Sequence, residues 1–266
     1  YVTGSLARPY SVSDAVRMAT VPRGLGMSDA PHLWLCRRNA VSTSSAFCRA
    51  VLSRYAPVRP DEWRFAAGRH GKPCLADLSV ELEFNLSHSG EWLIFAISRA
   101  AALGVDIEHT GKARDVMRLA RRFFSGTETA DLEALPEARR RQRFYDYWTL
   151  KEATVKASGG ALAPALGGLA FELSYPPGGG TGSVRPLGDA PKAGVRYYLA
   201  EPVRGYRLAL CWFATCAAPK LPRLFVPGPR GRVAARPLGL RAMSRPWGML
   251  SGPGYGERVC RQTDCA

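Results

Sequence analysis

Residues 81–87 alternate in the strand manner, with Leu82, Phe84 and Leu86 on one face, the period of a half-buried β-strand. The β-rich run E-W-L-I-F-A-I-S follows at 91–98, and the turn S-H-S-G at 87–90 is expected to join the two as a hairpin. A further strand reads at 103–108, L-G-V-D-I-E. The pattern then turns helical. Val116, Leu119, Ala120 and Phe123 form one stripe over 114–124. Ser125 with Glu128 three residues on is a capping-box signature for a helix at 126–135. A longer helix covers about 137–158 and stops at Gly159 and Gly160. Strands return at 168–174 and as a hairpin over 195–213, turning near Arg204 and Gly205. Earlier in the chain, 32–37 reads as a strand and 44–55 as a helix with Phe47, Val51 and Leu52 on its apolar face. The order is mixed α and β, with a helix before strands in each half.

A chain of 266 residues can bury a sizeable core. Its longest apolar stretches, such as Trp92 to Ile97, are too short to span a bilayer. The first residues carry Arg8 and Arg17 without a continuous apolar run, so no secretory signal is expected. Seven cysteines include no C-x-x-C pair, which disfavours zinc or a disulfide framework and suits reduced thiols in a cytoplasm. The net charge of +15 points toward nucleic acid only until it is mapped. Residues 1–26 hold three Arg and one Asp, and 219–266 hold nine Lys or Arg and two acids. More than half of the excess therefore sits at the two ends. Residues 1–27 show no periodicity and are left unassigned. From about Pro219 the chain is rich in Pro, Gly and Arg, and 219–266 is expected to lack fixed structure.

Four constellations could carry chemistry. Asp106 and Glu108 stand at i and i+2 on one strand, so both carboxylates leave the same face while Val105 and Ile107 point into a core. Two hard oxygen donors side by side suit Mg²⁺, although a solvated face has the same pattern. In W-T-L-K-E-A-T-V-K at 148–156, Trp148, Glu152 and Lys156 are successive i+4 neighbours, and Lys151 lies within reach of the same cleft. This pattern is also that of an ordinary surface Glu–Lys pair. H-G-K-P at 70–73 presents Lys72 on a rigid turn. F-N-L-S-H-S-G at 84–90 places Ser87 and His88 at the end of an apolar strand. No G-x-S-x-G elbow, P-loop or strand-borne G-x-G-x-x-G is present.

The joint order of these pieces is specific. G-K-P, then F-N-L-S-H-S, G-V-D-I-E, F-F-S-x-x-E and W-T-L-K-E-A-x-x-K resembles the Sfp-like 4′-phosphopantetheinyl transferases, over about residues 44–175. The resemblance implies an α+β fold, a single-chain pseudo-dimer of two similar α/β halves at 28–103 and 104–218 with the cofactor cleft between them. It implies Mg²⁺ on Asp106, Glu108 and Glu152, with coenzyme A as substrate. Lys156 is implied to contact its phosphate, with Lys72, Ser87 and His88 on the nucleotide and Lys151 in the same motif. Asp106, Glu152 and Lys156 are the implied catalytic residues. The implied activity is that of a holo-acyl-carrier-protein synthase, a transfer of phosphopantetheine to a serine of an apo acyl or peptidyl carrier protein. No nucleic acid or membrane partner is expected, and the chain is expected to be a monomer. Lys112, Arg114, Arg118, Arg121 and Arg122, beside Phe123 and Phe124, form a basic cluster suited to an acidic carrier. Family members carry a longer segment between the first strand and the helix at 44–55. Here Leu35 reaches Ser44 in nine residues, which leaves open a non-catalytic relative that only binds coenzyme A or a carrier.

Overall fold

The structure is a computed structural model that describes residues 30–68, 71–76, 79–99, 101–160, 166–176, 181–188, 190–191, 194–214, 221–227, 233–236, 238 and 240–243. The N-terminal segment 1–27, His70, the glycines at 178–180 and the last part of the basic tail lie outside the described residues.

Thirteen strands and four α-helices are described. The first half holds β1 (His32–Arg37), α1 (Ser44–Leu52), the short strands β2 (Phe65–Ala67) and β3 (Pro73–Leu75), then β4 (Glu83–Ser89) and β5 (Trp92–Ser98). Next come β6 (Leu103–His109), α2 (Val116–Phe123), α3 (Gly126–Ala134) and α4 (Glu137–Ser158). The second half is completed by β7 (Leu169–Ser174), β8 (Gly182–Gly188), β9 (Val195–Ala200) and β10 (Tyr206–Phe213). Three strands follow, β11 (Arg223–Pro227), β12 (Val233–Arg236) and β13 (Leu240–Met243). Helices and strands are largely segregated along the chain, an α+β fold.

Two large sheets result, in the orders β12-β11-β1-β5-β4 and β6-β10-β9-β13-β8-β7, and β2 pairs with β3 in a separate two-stranded sheet. Strand alternation divides their side chains among three cores. Trp34, Phe95 and Phe84 of the first sheet meet Phe47, Val51 and Leu52 of α1. The opposite face, with Leu33, Leu35, Ile94 and Ala96, packs on Val105, Ile107, Leu208, Leu210 and Trp212 of the second sheet. The far face of that second sheet, with Phe171, Tyr197 and Cys211, is covered by α4 through Phe144, Leu150 and Ala153. The layers therefore run helix, sheet, sheet, helix.

Two sequence readings are corrected here. The hairpin turn is tighter than S-H-S-G: β4 continues through Ser89 and only Gly90, at φ 53°, and Glu91 turn the chain. The expectation that 219–266 lacks structure fails for 223–227, 233–236 and 240–243. Leu224 and Phe225 alternate between two cores, Phe225 stacking on Trp34 at 5.0 Å between centroids. β11 pairs in parallel with β1, and β13 is inserted between β9 and β8. Four or five residues per strand, set among Pro, Gly and Arg, are too few to show a period. β11 and β12 pair with each other, but the strands that take β11 and β13 into the main sheets, β1, β8 and β9, are remote, so only tertiary pairing reveals them.

Candidate active site

β6 is an edge strand of the second sheet, and α4 lies across it. Gly104 permits that approach. A Cβ there would collide with the Ala153 carbonyl oxygen and the Ala157 nitrogen, so the glycine of G-V-D-I-E is a packing requirement. Val105 and Ile107 enter the inter-sheet core as expected. Asp106 and Glu108 leave the other face, toward α4.

On α4, Glu152 and Lys156 are one turn apart, and Lys156 reaches the strand. Its Nζ lies 2.7 Å from Asp106 Oδ1 and 3.3 Å from the Val105 carbonyl oxygen. Asp106 Oδ1 also accepts from Ser87 Oγ at 2.7 Å. The other oxygen, Oδ2, is buried without a hydrogen-bond partner. Burial pushes the Asp106 carboxyl up, with Lys156 and Ser87 opposing. Glu152 is pushed up to about 7, first by burial, then by the negative charges of Asp106 and Glu108, against Lys156 and Arg114. Glu108 accepts from Ser89 Oγ at 2.5 Å, pairs with Lys112, and lies 3.6 Å from Arg114.

Burial thus raises the Asp106 and Glu152 carboxyls beside the Glu108 carboxylate, and one oxygen of the group, Asp106 Oδ2, is buried and unsatisfied. Hard, crowded oxygen donors of this kind fit a divalent cation. Among the described residues, no three ligating side chains already converge on one point. Lys156, Lys112 and Arg114 supply the compensating positive charge instead.

The remaining predicted residues divide. Lys72 Nζ donates to the Leu103 carbonyl at 3.2 Å, at the opposite end of β6 from Glu108. Ser87 and His88 point to opposite faces of β4. Ser87 is buried against Asp106, and His88 is exposed. Lys151 does not reach the cleft. Its side chain is 0% exposed and its Nζ sits 2.9 Å from Glu128 Oε2, 2.9 Å from the Leu166 carbonyl, and against the Leu169 carbonyl and the Phe124 ring. One residue along a helix is a rotation of about 100°, and here that rotation turns Lys151 away from β6 into the core. Glu128 is also the capping-box glutamate of α3. The F-F-S-x-x-E and W-x-x-K-E motifs are therefore joined by a buried ion pair.

Sequence reasoning missed a second buried tether. Arg207 on β10 stands opposite Glu108 in the ladder, and its guanidinium lies 2.9 Å from Asp146 of α4 and 2.8 Å from Glu201. The basic cluster is also thinner than expected. Lys112 and Arg114 are paired with Glu108, and Arg121 with Glu133 at 3.0 Å. Arg118 and Arg122 are exposed and form no ion pair among the described residues.

On α4 a carboxylate and an ammonium are set over the D-x-E edge strand β6, a donor set chemically suited to a divalent cation and a phosphate. The 4′-phosphopantetheinyl transferase superfamily matches residues 102–211. Over 163 residues the chain is 34% identical to the 4′-phosphopantetheinyl transferase Sfp of Bacillus subtilis, covering 61% of this chain and 69% of that relative. It is 35% identical over 128 residues to the 4′-phosphopantetheinyl transferase HetI of a Nostoc species, covering 47% of this chain and 54% of the relative. A solved holo-(acyl-carrier-protein) synthase from Bacillus anthracis, in complex with CoA, matches at TM-score 0.35 and 13% identity over 43% of this chain and 96% of that one, too low to define the fold. The chain belongs to the 4′-phosphopantetheinyl transferase superfamily.

Proposed function

We propose that this chain moves the 4′-phosphopantetheine arm of coenzyme A onto a serine of an apo acyl or peptidyl carrier protein, releasing 3′,5′-ADP. The reading is supported by its family membership. The observation that carries it is the assembly of Asp106, Glu108, Glu152 and Lys156 where β6 meets α4, with Asp106 Oδ2 buried and unsatisfied. The two halves, each a sheet with helix on its outer face, are read as a pseudo-dimer.

In this reading, Asp106, Glu108 and Glu152 would hold Mg²⁺, which when bound stabilises charge on pyrophosphate oxygens. The serine hydroxyl attacks the phosphorus bearing the pantetheine arm. A new P–O bond forms, and the bond to the 3′,5′-ADP oxygen breaks. Glu152 takes the serine proton, directly or through a water; a carboxyl pushed up to about 7 is suited to that task. Lys156 neutralises charge on the departing phosphate. Lys72 and His88, at the rim of the first half, are proposed for the nucleotide. Arg118, Arg121 and Arg122 are proposed to meet an acidic carrier.

Purified protein is incubated with Mg²⁺, coenzyme A and an apo carrier, and the carrier is weighed by intact mass spectrometry. A gain of one phosphopantetheine, absent with Asp106→Ala, is expected. Coenzyme A binding without any gain across fatty-acid, polyketide and peptide carriers overturns the reading. That outcome favours a binding-only relative, which the short link between β1 and α1 allows.

A further inference from the structure

β4 and β6 are edge strands of different sheets, yet they are not joined by a main-chain ladder. Side chains on alternate residues of β4 take its place. Asn85 Oδ1 accepts from Val105 N at 2.9 Å, Ser87 Oγ from Ile107 N at 3.3 Å, and Ser89 Oγ from His109 N at 3.0 Å. These three donors are the N–H groups on the edge of β6 that faces away from β10. Left bare, they would be buried orphans or a template for another strand.

The hydroxyls do more than cap this edge. A serine has one O–H and lone pairs to spare. Having accepted from the backbone, Ser89 donates its proton to Glu108 Oε2 at 2.5 Å. Ser89 is 3% exposed, so this bond does not compete with bulk water. The oxygen it holds also takes Lys112, while Oε1 is left facing Arg114. Asn85 is the informative contrast, because its rung ends on the backbone and touches no carboxylate.

We propose that Ser89 is a positioning residue. Its hydroxyl locks the rotamer of Glu108 from the opposite half of the molecule, and so sets the carboxylate geometry that a divalent cation meets. This rests on the proposed cation role of Glu108. Outer partners of ligating carboxylates commonly govern affinity in this way.

Mn²⁺ serves as the probe, titrated with coenzyme A present and carrier absent, and read by the electron paramagnetic resonance of the free ion. Ser89→Ala is expected to weaken Mn²⁺ binding about 10-fold, with Ser89→Thr within about threefold of wild type. Asn85→Ala is expected to lower the melting temperature and leave Mn²⁺ affinity unchanged. In a Glu108→Gln background, Ser89→Ala should add nothing further, because its effect runs through that carboxylate. Should Ser89→Ala fail to fold, Ser89→Cys, a near-isostere with a weak donor, replaces it with the same expected direction. Wild-type affinity in Ser89→Ala, or in Ser89→Cys where that replaces it, overturns the inference, as does a loss that persists undiminished beside Glu108→Gln. A wild-type protein that binds no Mn²⁺ overturns the site reading and this inference together, and is recognised because the unsubstituted chain is itself silent.

Discussion

The two walls that enclose β6 are built differently. On one side α4 brings Glu152 and Lys156, two charged side chains one helical turn apart. On the other, β4 brings Asn85, Ser87 and Ser89, all neutral, each bonded to the β6 backbone. The first wall supplies charge and the second supplies fixed geometry. The same contrast runs through the halves they belong to. The first half covers its sheet with the nine-residue α1, while the second uses three helices, including the 22-residue α4, tied down by the buried pairs Lys151–Glu128 and Arg207–Asp146.

This contrast can be broken by experiment. The largest effect is expected at the charged wall, where Glu152→Gln should lower kcat by about 10²- to 10⁴-fold, the usual worth of a positioned base. Normal turnover at saturating Mg²⁺ would remove the base assignment. Next comes Lys151→Met, which strands the Glu128 carboxylate in the core and should cost about 3–5 kcal/mol in denaturant unfolding. Pairing it with Glu128→Leu should recover much of the loss. A Lys151→Met protein of wild-type stability but with a raised coenzyme A KM would return Lys151 to the cofactor list.

The first half has its own titratable group. His32 is buried against Tyr55 and Phe225, and burial followed by the charge of Arg223 lowers it from 6.5 to about 4. The folded state keeps His32 neutral where the unfolded chain binds a proton. Stability is therefore full above about pH 6.5 and falls as pH drops toward 4, by about 3 kcal/mol if the whole shift is realised. Unfolding curves at pH 7 and 4.5 should separate less for His32→Gln than for wild type. Equal separation would mean that the histidine is solvated. The smallest effect is expected at the surface, where Arg118→Glu with Arg121→Glu should raise the carrier KM about 10-fold and leave the coenzyme A KM alone. Unchanged carrier kinetics would place docking elsewhere.

Much of this was legible in the sequence, for identifiable reasons. The helix at 137–158 has the bounds that its Gly159 stop predicts. The i, i+2 carboxylates and the i, i+4 pair follow from two fixed periods and needed no tertiary information. What required the structure was rotation and partnership. Whether Lys151 or Glu152 faces the strand depends on which side of α4 is packed, and W-T-L-K-E alone does not say. Ser89 was invisible because its partners, Glu108 and His109, stand on a different sheet. The strands β11 and β13 were hidden by composition, since Leu224, Phe225 and Ala242 find their core partners on elements far earlier in the chain.

That last placement has a consequence for how the protein is made. β1 is complete once residue 37 has been synthesised, but its parallel neighbour β11 arrives only with residues 223–227. β9 and β8 must likewise wait for β13 at 240–243 before the gap between them closes. During elongation both sheets carry open hydrogen-bonding seams, and neither half can finish ahead of the other. Closing such distant pairs is slow, so both sheets stay incomplete until β11 and β13, close together at the end of the described chain, have emerged.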